Sequence, residues 1–396
     1  MRVISNLYFV VLFSFLISFI LYTFRLSGIY PDITVPFVLF FSFFLMTLLM
    51  LGFVMSGNFR IWFSKANKSV ESLRLKYSYK YWPIVSIVIF LIIEIIYNKK
   101  IPIVEMLRGN QYDYRDFTFP GLHVFFTSLT TYYSIKSFFD YLAYNDRRAL
   151  YSSFLCVFIF AILMYRSNIM FCILNMVFLF VLFKRVNLKR IFKVAFFIIG
   201  LMYIFGVAGD LRSKAQTGDS EFGISNIMNA TQASSDFEKN SFLSPFYWAY
   251  LYISSPVANF QKTVSVYDTH VETDGALKFT VYEILPDIIG KRVAALAGYD
   301  EEYSPLARVI DFLTVGTIFA DSFVFVGWFG PIILMFLLVL TPVIFLSLCP
   351  KNYIFFVQFS ICANILILCT FSNMLAYSTL SLQLFYPLFS RKFKFS

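Results

Sequence analysis

The 396-residue sequence is poor in charge: Asp, Glu, Lys and Arg make up 14% of it, against roughly a quarter in a soluble domain. It is poorer still in histidine, with only His123 and His270, far apart. Its five cysteines, Cys156, Cys172, Cys349, Cys362 and Cys369, form no CxxC pair and all lie in or beside apolar stretches. That spacing argues against a zinc site and against a disulfide framework. P-loop, GxSxG, HExxH and Rossmann fingerprints are missing, so nothing points to nucleotide hydrolysis. No internal repeat of the kind found in many secondary transporters is present.

What fills the sequence instead is apolar residues, 59% of the total, gathered in blocks between short polar clusters. Blocks of about 18 or more are long enough to cross a bilayer as helices, and helices satisfy their own backbone where lipid offers no partner. The runs are continuous rather than alternating, which excludes a β-barrel. The pattern predicts an all-α polytopic membrane protein with about ten transmembrane helices, near 7–24, 34–55, 82–98, 120–139, 150–165, 168–183, 191–208, 322–348, 353–370 and 376–390. The expected organisation is seven helices in 1–208, a large outer loop over 209–321, and three helices with a tail in 322–396.

Charge orients this arrangement. Alternate connections, with Arg2 at the start, hold 17 Lys and Arg but three acids, Glu71, Asp140 and Asp146. The positive-inside rule makes that side cytoplasmic, with both termini there. The net charge of +10 is then an orientation signal, and no basic module for nucleic acid is seen. The segment 209–320 carries eight Lys and Arg against 14 Asp and Glu. Its length and its Trp, Tyr and Phe content mark it as folded and functional, with helix-like stretches at 242–261, 279–298 and 304–316. The first of these is apolar enough to lie along the membrane surface.

Arginine is the side chain best suited to bind phosphate oxygens in a fork. Arg166 falls in the tight turn MYRSN, where the other reading is a snorkelling helix anchor. Arg212 follows in VAGDLRSKAQTGDSEFG, with Asp210 two residues before it as ion-pair partner, general base or helix cap. His270, in YDTHVETDG, suits acid–base work by its usual pKa, though a loop histidine also occurs without a role. Asp321 stands at the entry to the eighth predicted helix, where a carboxylate is costly unless paired or wet. Glu94 lies inside the third predicted helix, about one turn from its outer end.

Arg212 and Gly223 are separated by ten residues, which resembles the Arg-x10-Gly pattern of Wzy-type polymerases of bacterial O-antigen and capsule repeat units. The stretch YISSPVANF, with Tyr252, Pro256 and Asn259, resembles a Pro-x-x-Asn-Phe stretch of that family. Thr317, Asp321, Gly327 and Gly330 resemble its loop-to-helix junction, and Arg166 a family arginine at a helix start. The second Arg-x10-Gly motif of some members is not found.

The resemblance implies the GT-C type of membrane glycosyltransferase. It implies an activity that moves a growing glycan from undecaprenyl pyrophosphate onto an incoming lipid-linked repeat unit. Arg212, Arg166, Asp210 and His270 would be the catalytic set. Gly223, Tyr252, Pro256, Asn259, Thr317 and Asp321 would contact substrate. The reaction needs no cofactor, nucleotide or metal, because the donor carries its leaving group. The implied partners are undecaprenyl-pyrophosphate-linked oligosaccharide, the lipid bilayer of the bacterial inner membrane and a chain-length regulator, with the site facing the periplasm. Two rivals remain. An O-antigen ligase shares the architecture, but His270 is followed by Gly275 only, and position 280 is Thr. A flippase of lipid-linked oligosaccharide would place its charges deep within helices.

Overall fold

The computed structural model describes residues 3–74, 77–108, 121–184, 224–235, 244–267, 274–300 and 303–389, with isolated positions between them. Among these residues the fold is all helical, without a strand. In chain order the helices are α1 (Leu7–Thr23), α2 (Val35–Leu73), α3 (Trp82–Asn98), α4 (Pro102–Leu107), α5 (His123–Tyr144), α6 (Arg147–Ile162) and α7 (Arg166–Phe183). Then come α8 (Ile224–Ala230), α9 (Ser244–Val266), α10 (Gly275–Phe279), a π turn over Thr280–Ile284, and α11 (Asp287–Leu296). The last are α12 (Ala320–Val326), α13 (Phe329–Leu348), α14 (Ile354–Leu368), α15 (Ser378–Ser381) and α16 (Tyr386–Phe389). α2, α7 and α13 are long and apolar enough to cross a membrane, and α1, α3 and α14 are shorter apolar helices.

The helices start where local chemistry allows. Asn6 caps α1 by accepting the Tyr8 N–H, and Asp146 caps α6 by accepting the Arg148 N–H. Proline opens α2, α3 and α4, where a missing N–H costs nothing. Large apolar side chains then remain exposed in rows, such as Leu39, Phe43, Met46 and Met50 on α2 and Phe329, Ile333, Phe336 and Leu340 on α13. Rows of that extent belong against lipid.

At the centre is α14, buried on every side from Ile354 to Leu366. It packs against α1, α2, α5, α7 and α13. Its polar residues point into the bundle: Ser360 donates to Asn175 Oδ1 at 2.8 Å and Asn364 to the same oxygen at 3.1 Å. Phe355 and Phe359 meet Phe63 edge-on, which keeps α2 packed well past the span expected to end near 55.

Three expectations change. The stretch 242–261 does not lie on a surface: α9 is lined with buried residues and packs against α1 and α12. Its polar side chains fasten it inward. Tyr250 accepts the Leu26 N–H, Tyr30 bonds Ser254, and Gln261 accepts the Thr34 N–H. Residues 304–316 are not a helix but an irregular strap over α9. Side chains of α9 and its end satisfy the strap's backbone: Asn259 accepts the Val309 N–H at 2.8 Å and donates to the Leu313 and Val315 carbonyls at 2.7 and 2.8 Å. Thr263 accepts the Ala307 N–H, and Tyr267 donates to the Pro305 carbonyl. With those partners supplied from outside, a helical ladder has no advantage. Finally, 376–390 is not one helix but the short pieces α15 and α16 joined by a 3₁₀ turn.

Candidate functional site: a carboxylate pair where the loop meets the bundle

The segment after α9 turns back on the bundle through the π turn. Its signature is the bond from the Leu285 N–H to the Thr280 carbonyl, five residues back. Widened turns of this kind re-aim side chains and are frequent at functional sites. Here the turn directs Glu283 inward, and the side chain is buried. Gly290 makes the placement possible: a side chain there would run into the Val281 carbonyl oxygen. Asn373, in the turn after α14, donates 2.8 Å bonds to the Glu283 carboxyl and to its backbone carbonyl.

The second carboxyl is Asp321, in the first turn of α12. Gly327 ends that helix with φ of 57°, which lets the chain turn directly into α13. Asp321 Oδ1 accepts bonds from the Ser304 hydroxyl at 2.9 Å and the Leu306 N–H at 3.2 Å, so the strap holds it. The two carboxyls feel one another's charge. Burial pushes Glu283 well above the ordinary carboxyl range, the negative charge of Asp321 adds to this, and the Asn373 amide opposes it. Burial pushes Asp321 up to about 6, against the pull of Ser304, the Leu306 N–H and Arg308. A carboxyl held at about 6, as Asp321 is, takes up and gives back a proton not far below neutral pH.

Beside the pair is an aromatic cluster. Tyr282 stacks on Phe325 with centroids 5.9 Å apart, and both meet Tyr303, which is 41% exposed. The Lys278 ammonium lies 5.7 Å from the Tyr303 ring centre.

Asp321 therefore enters the site. Thr317 is buried and its hydroxyl accepts the Phe319 N–H, a local brace at the α12 entry. Asn259 is buried and fully committed to the strap. Pro256 is buried inside α9, where it lacks the N–H that the Tyr252 carbonyl would receive in a regular helix. Tyr252 is half-exposed and stacks on Trp248 at 5.7 Å. Arg166 is exposed at the first turn of α7. Asp210, Arg212, Gly223 and His270 lie outside the described residues. Glu94 does not reach for the surface: it is buried and bonds His123 Nδ1 at 2.8 Å. Among the described residues no group of His, Cys, Asp and Glu is arranged to hold a metal ion.

Glu283 and Asn373 are the residues that sequence reasoning missed. The available signal was an acid inside the apolar run TVYEIL, just ahead of Pro286.

No protein-family model, no curated protein and no solved structure matches the chain.

Proposed function

We propose that the protein is a polymerase of lipid-linked oligosaccharide repeat units, of the Wzy type, in the bacterial inner membrane. In this reading the chain has about ten spans, the GT-C type of fold, both termini in the cytoplasm and the large loop in the periplasm. The observation that carries the reading is the Glu283–Asp321 pair at the junction of loop and bundle, next to half-exposed aromatic rings.

Polymerisation by transfer from a lipid pyrophosphate needs one proton removed and one bond broken. An ionised carboxylate of the pair takes the proton of the acceptor sugar hydroxyl. The hydroxyl oxygen bonds to the donor's anomeric carbon as the bond to the pyrophosphate oxygen breaks, and the electron pair leaves with the pyrophosphate. Tyr303 and its neighbours offer flat faces to the C–H side of a pyranose ring. Asp210, Arg212 and His270 remain candidates for the same reaction from the loop.

The test is to make Glu283→Gln and Asp321→Asn, confirm expression in the membrane, and run the surface glycan on a gel. Loss of polymerisation leaves lipid A–core with a single repeat unit in place of a ladder. A full ladder from both variants overturns the assignment of the pair. Bare core with long lipid-linked chains accumulating would identify a ligase instead. Phosphatase fusions at Ser220 and near Lys68 test the orientation: activity at the second site and not the first reverses it.

A further inference from the structure

We propose that Trp248 and Tyr252 of α9, with Phe312 of the strap, form a shelf that binds a sugar of the glycan at a distance from the carboxylates. This inference rests on the reading above and adds to it a second place where the glycan is held.

The shelf grows from one face of α9. Steps of three and four residues return to the same side of a helix, so Trp248, Tyr252, Ser255, Asn259 and Thr263 fall in one row. Asn259 and Thr263, at the far end of the row, are bonded to the strap, which therefore runs over this side of the helix. At the near end the contacts are between rings. Tyr252 stacks on Trp248 with centroids 5.7 Å apart and planes at 29°, and Phe312 meets Trp248 at 6.2 Å and 61°. Trp248 is buried, while Tyr252 is 39% and Phe312 41% exposed. Two half-open aromatic rings thus flank a closed one.

The closed ring carries a polar group with nothing to bond. The Trp248 indole N–H is buried and has no hydrogen-bond partner in the protein. Further along the row the Ser255 hydroxyl is in the same condition, although its neighbour Ser254 bonds back to the Tyr250 carbonyl in the ordinary way. Such groups cost stability, and few are kept without a reason. A pyranose supplies what is missing. Its C–H face lies flat against aromatic rings, and its rim of hydroxyls accepts from an indole N–H. Hydrocarbon would cover the rings but leave the N–H unbonded. A phosphate would meet Asp311, the residue before Phe312, and be repelled. The strap also ties the shelf to the carboxylate pair. Its Leu306 N–H holds Asp321, and Phe312 follows six residues later, about 20 Å of extended chain at most. A few linked sugars cover such a gap, so the shelf holds a part of the glycan other than the one being joined.

The experiment uses the full-length protein in lipid nanodiscs and saturation-transfer NMR. The probes are an oligosaccharide cut by mild acid from the surface polysaccharide of the cell that makes the protein, and farnesol as a hydrocarbon. The oligosaccharide should bind. Tyr252→Leu and Phe312→Leu keep apolar area but lose the flat face, and each should weaken binding about tenfold. Trp248→Phe keeps a ring but loses the N–H, and should weaken it about fivefold. Tyr151→Leu, at an exposed tyrosine of α6, should change nothing. On the gel the Tyr252 and Phe312 variants should still join repeat units but give a shorter ladder. Glu283→Gln should still bind the oligosaccharide. Absence of binding to the unmodified protein overturns the shelf, and so does unchanged affinity in a folded Tyr252→Leu/Phe312→Leu protein. Displacement of the oligosaccharide by farnesol also overturns it, by marking the rings as a lipid contact. If the shelf variants lose the oligosaccharide while Glu283→Gln and Asp321→Asn give a full ladder, the carboxylate reading fails and the shelf stands.

Discussion

Two buried carboxyls sit at opposite ends of the bundle and have opposite company. At the end away from the loop, Asp140 lies 2.7 Å from the Lys136 ammonium and accepts a further bond from the Tyr77 hydroxyl. Tyr77 and Tyr144 stack at 4.2 Å over this pair, and Lys136 faces the Tyr353 ring. At the loop end Glu283 has an amide and a second carboxyl. The first arrangement neutralises charge and ties α5 to its surroundings. The second offers no cation, so its carboxyls hold their protons more tightly than usual. The same residue class is a fastener in one place and a reactive group in the other, and the difference lies in what the neighbours carry.

The comparison breaks most visibly in function. Glu283→Gln should lower polymerisation by about 100-fold or more, the scale of lost general acid–base catalysis. Its thermal midpoint in detergent should stay level or rise, because the amide keeps the acceptor for Asn373 and cannot ionise beside Asp321. Asp140→Ala should do the reverse. It strands the Lys136 ammonium and should destabilise the fold by about 3–5 kcal/mol, read from thermal unfolding. Lys136→Met combined with Asp140→Leu should restore much of that loss, and failure to do so would show that the pair does more than balance charge. Asn259→Ala should come next: it removes three bonds to the strap and should cost about 2–3 kcal/mol while loosening the hold on Asp321.

The smallest effect is a pH dependence. Both carboxyls of the pair hold their protons more tightly in the fold than in the unfolded chain. Stability should therefore fall as pH rises from about 4, the ordinary carboxyl range, through about 6, where Asp321 ionises. Activity should run the other way and climb through about 6 as the base form appears. Asp321→Asn should move or abolish that limb. An unchanged limb would assign the titration to another group.

How much of this could be read in the sequence follows from where each signal resides. α2, α7 and α13 are legible because a long apolar run has one solution in lipid. Asp321 was legible as a carboxylate at a boundary. The strap over 305–315 was not, because its backbone partners are Asn259, Thr263 and Tyr267, some forty to fifty residues away, and local pattern does not report them. Glu283 was hidden by its apolar neighbours, and its partner Asn373 is 90 residues further on. The break at 376–390 was hidden for a similar reason: Asp287 ties down the Ser378 N–H, and composition alone does not show that.

The sheathing of α14 has a consequence for depth. Ordinary spans adjust to bilayer thickness by tilting or by drawing lipid toward them, because lipid touches them. α14 has protein on every side, so no such adjustment acts on it. Its 15 residues rise about 22 Å, well short of the roughly 30 Å of hydrocarbon that longer neighbours such as α13 can bridge. The carboxylate that Asn373 holds from the turn after it is thereby tied to a helix that protein, not lipid, positions.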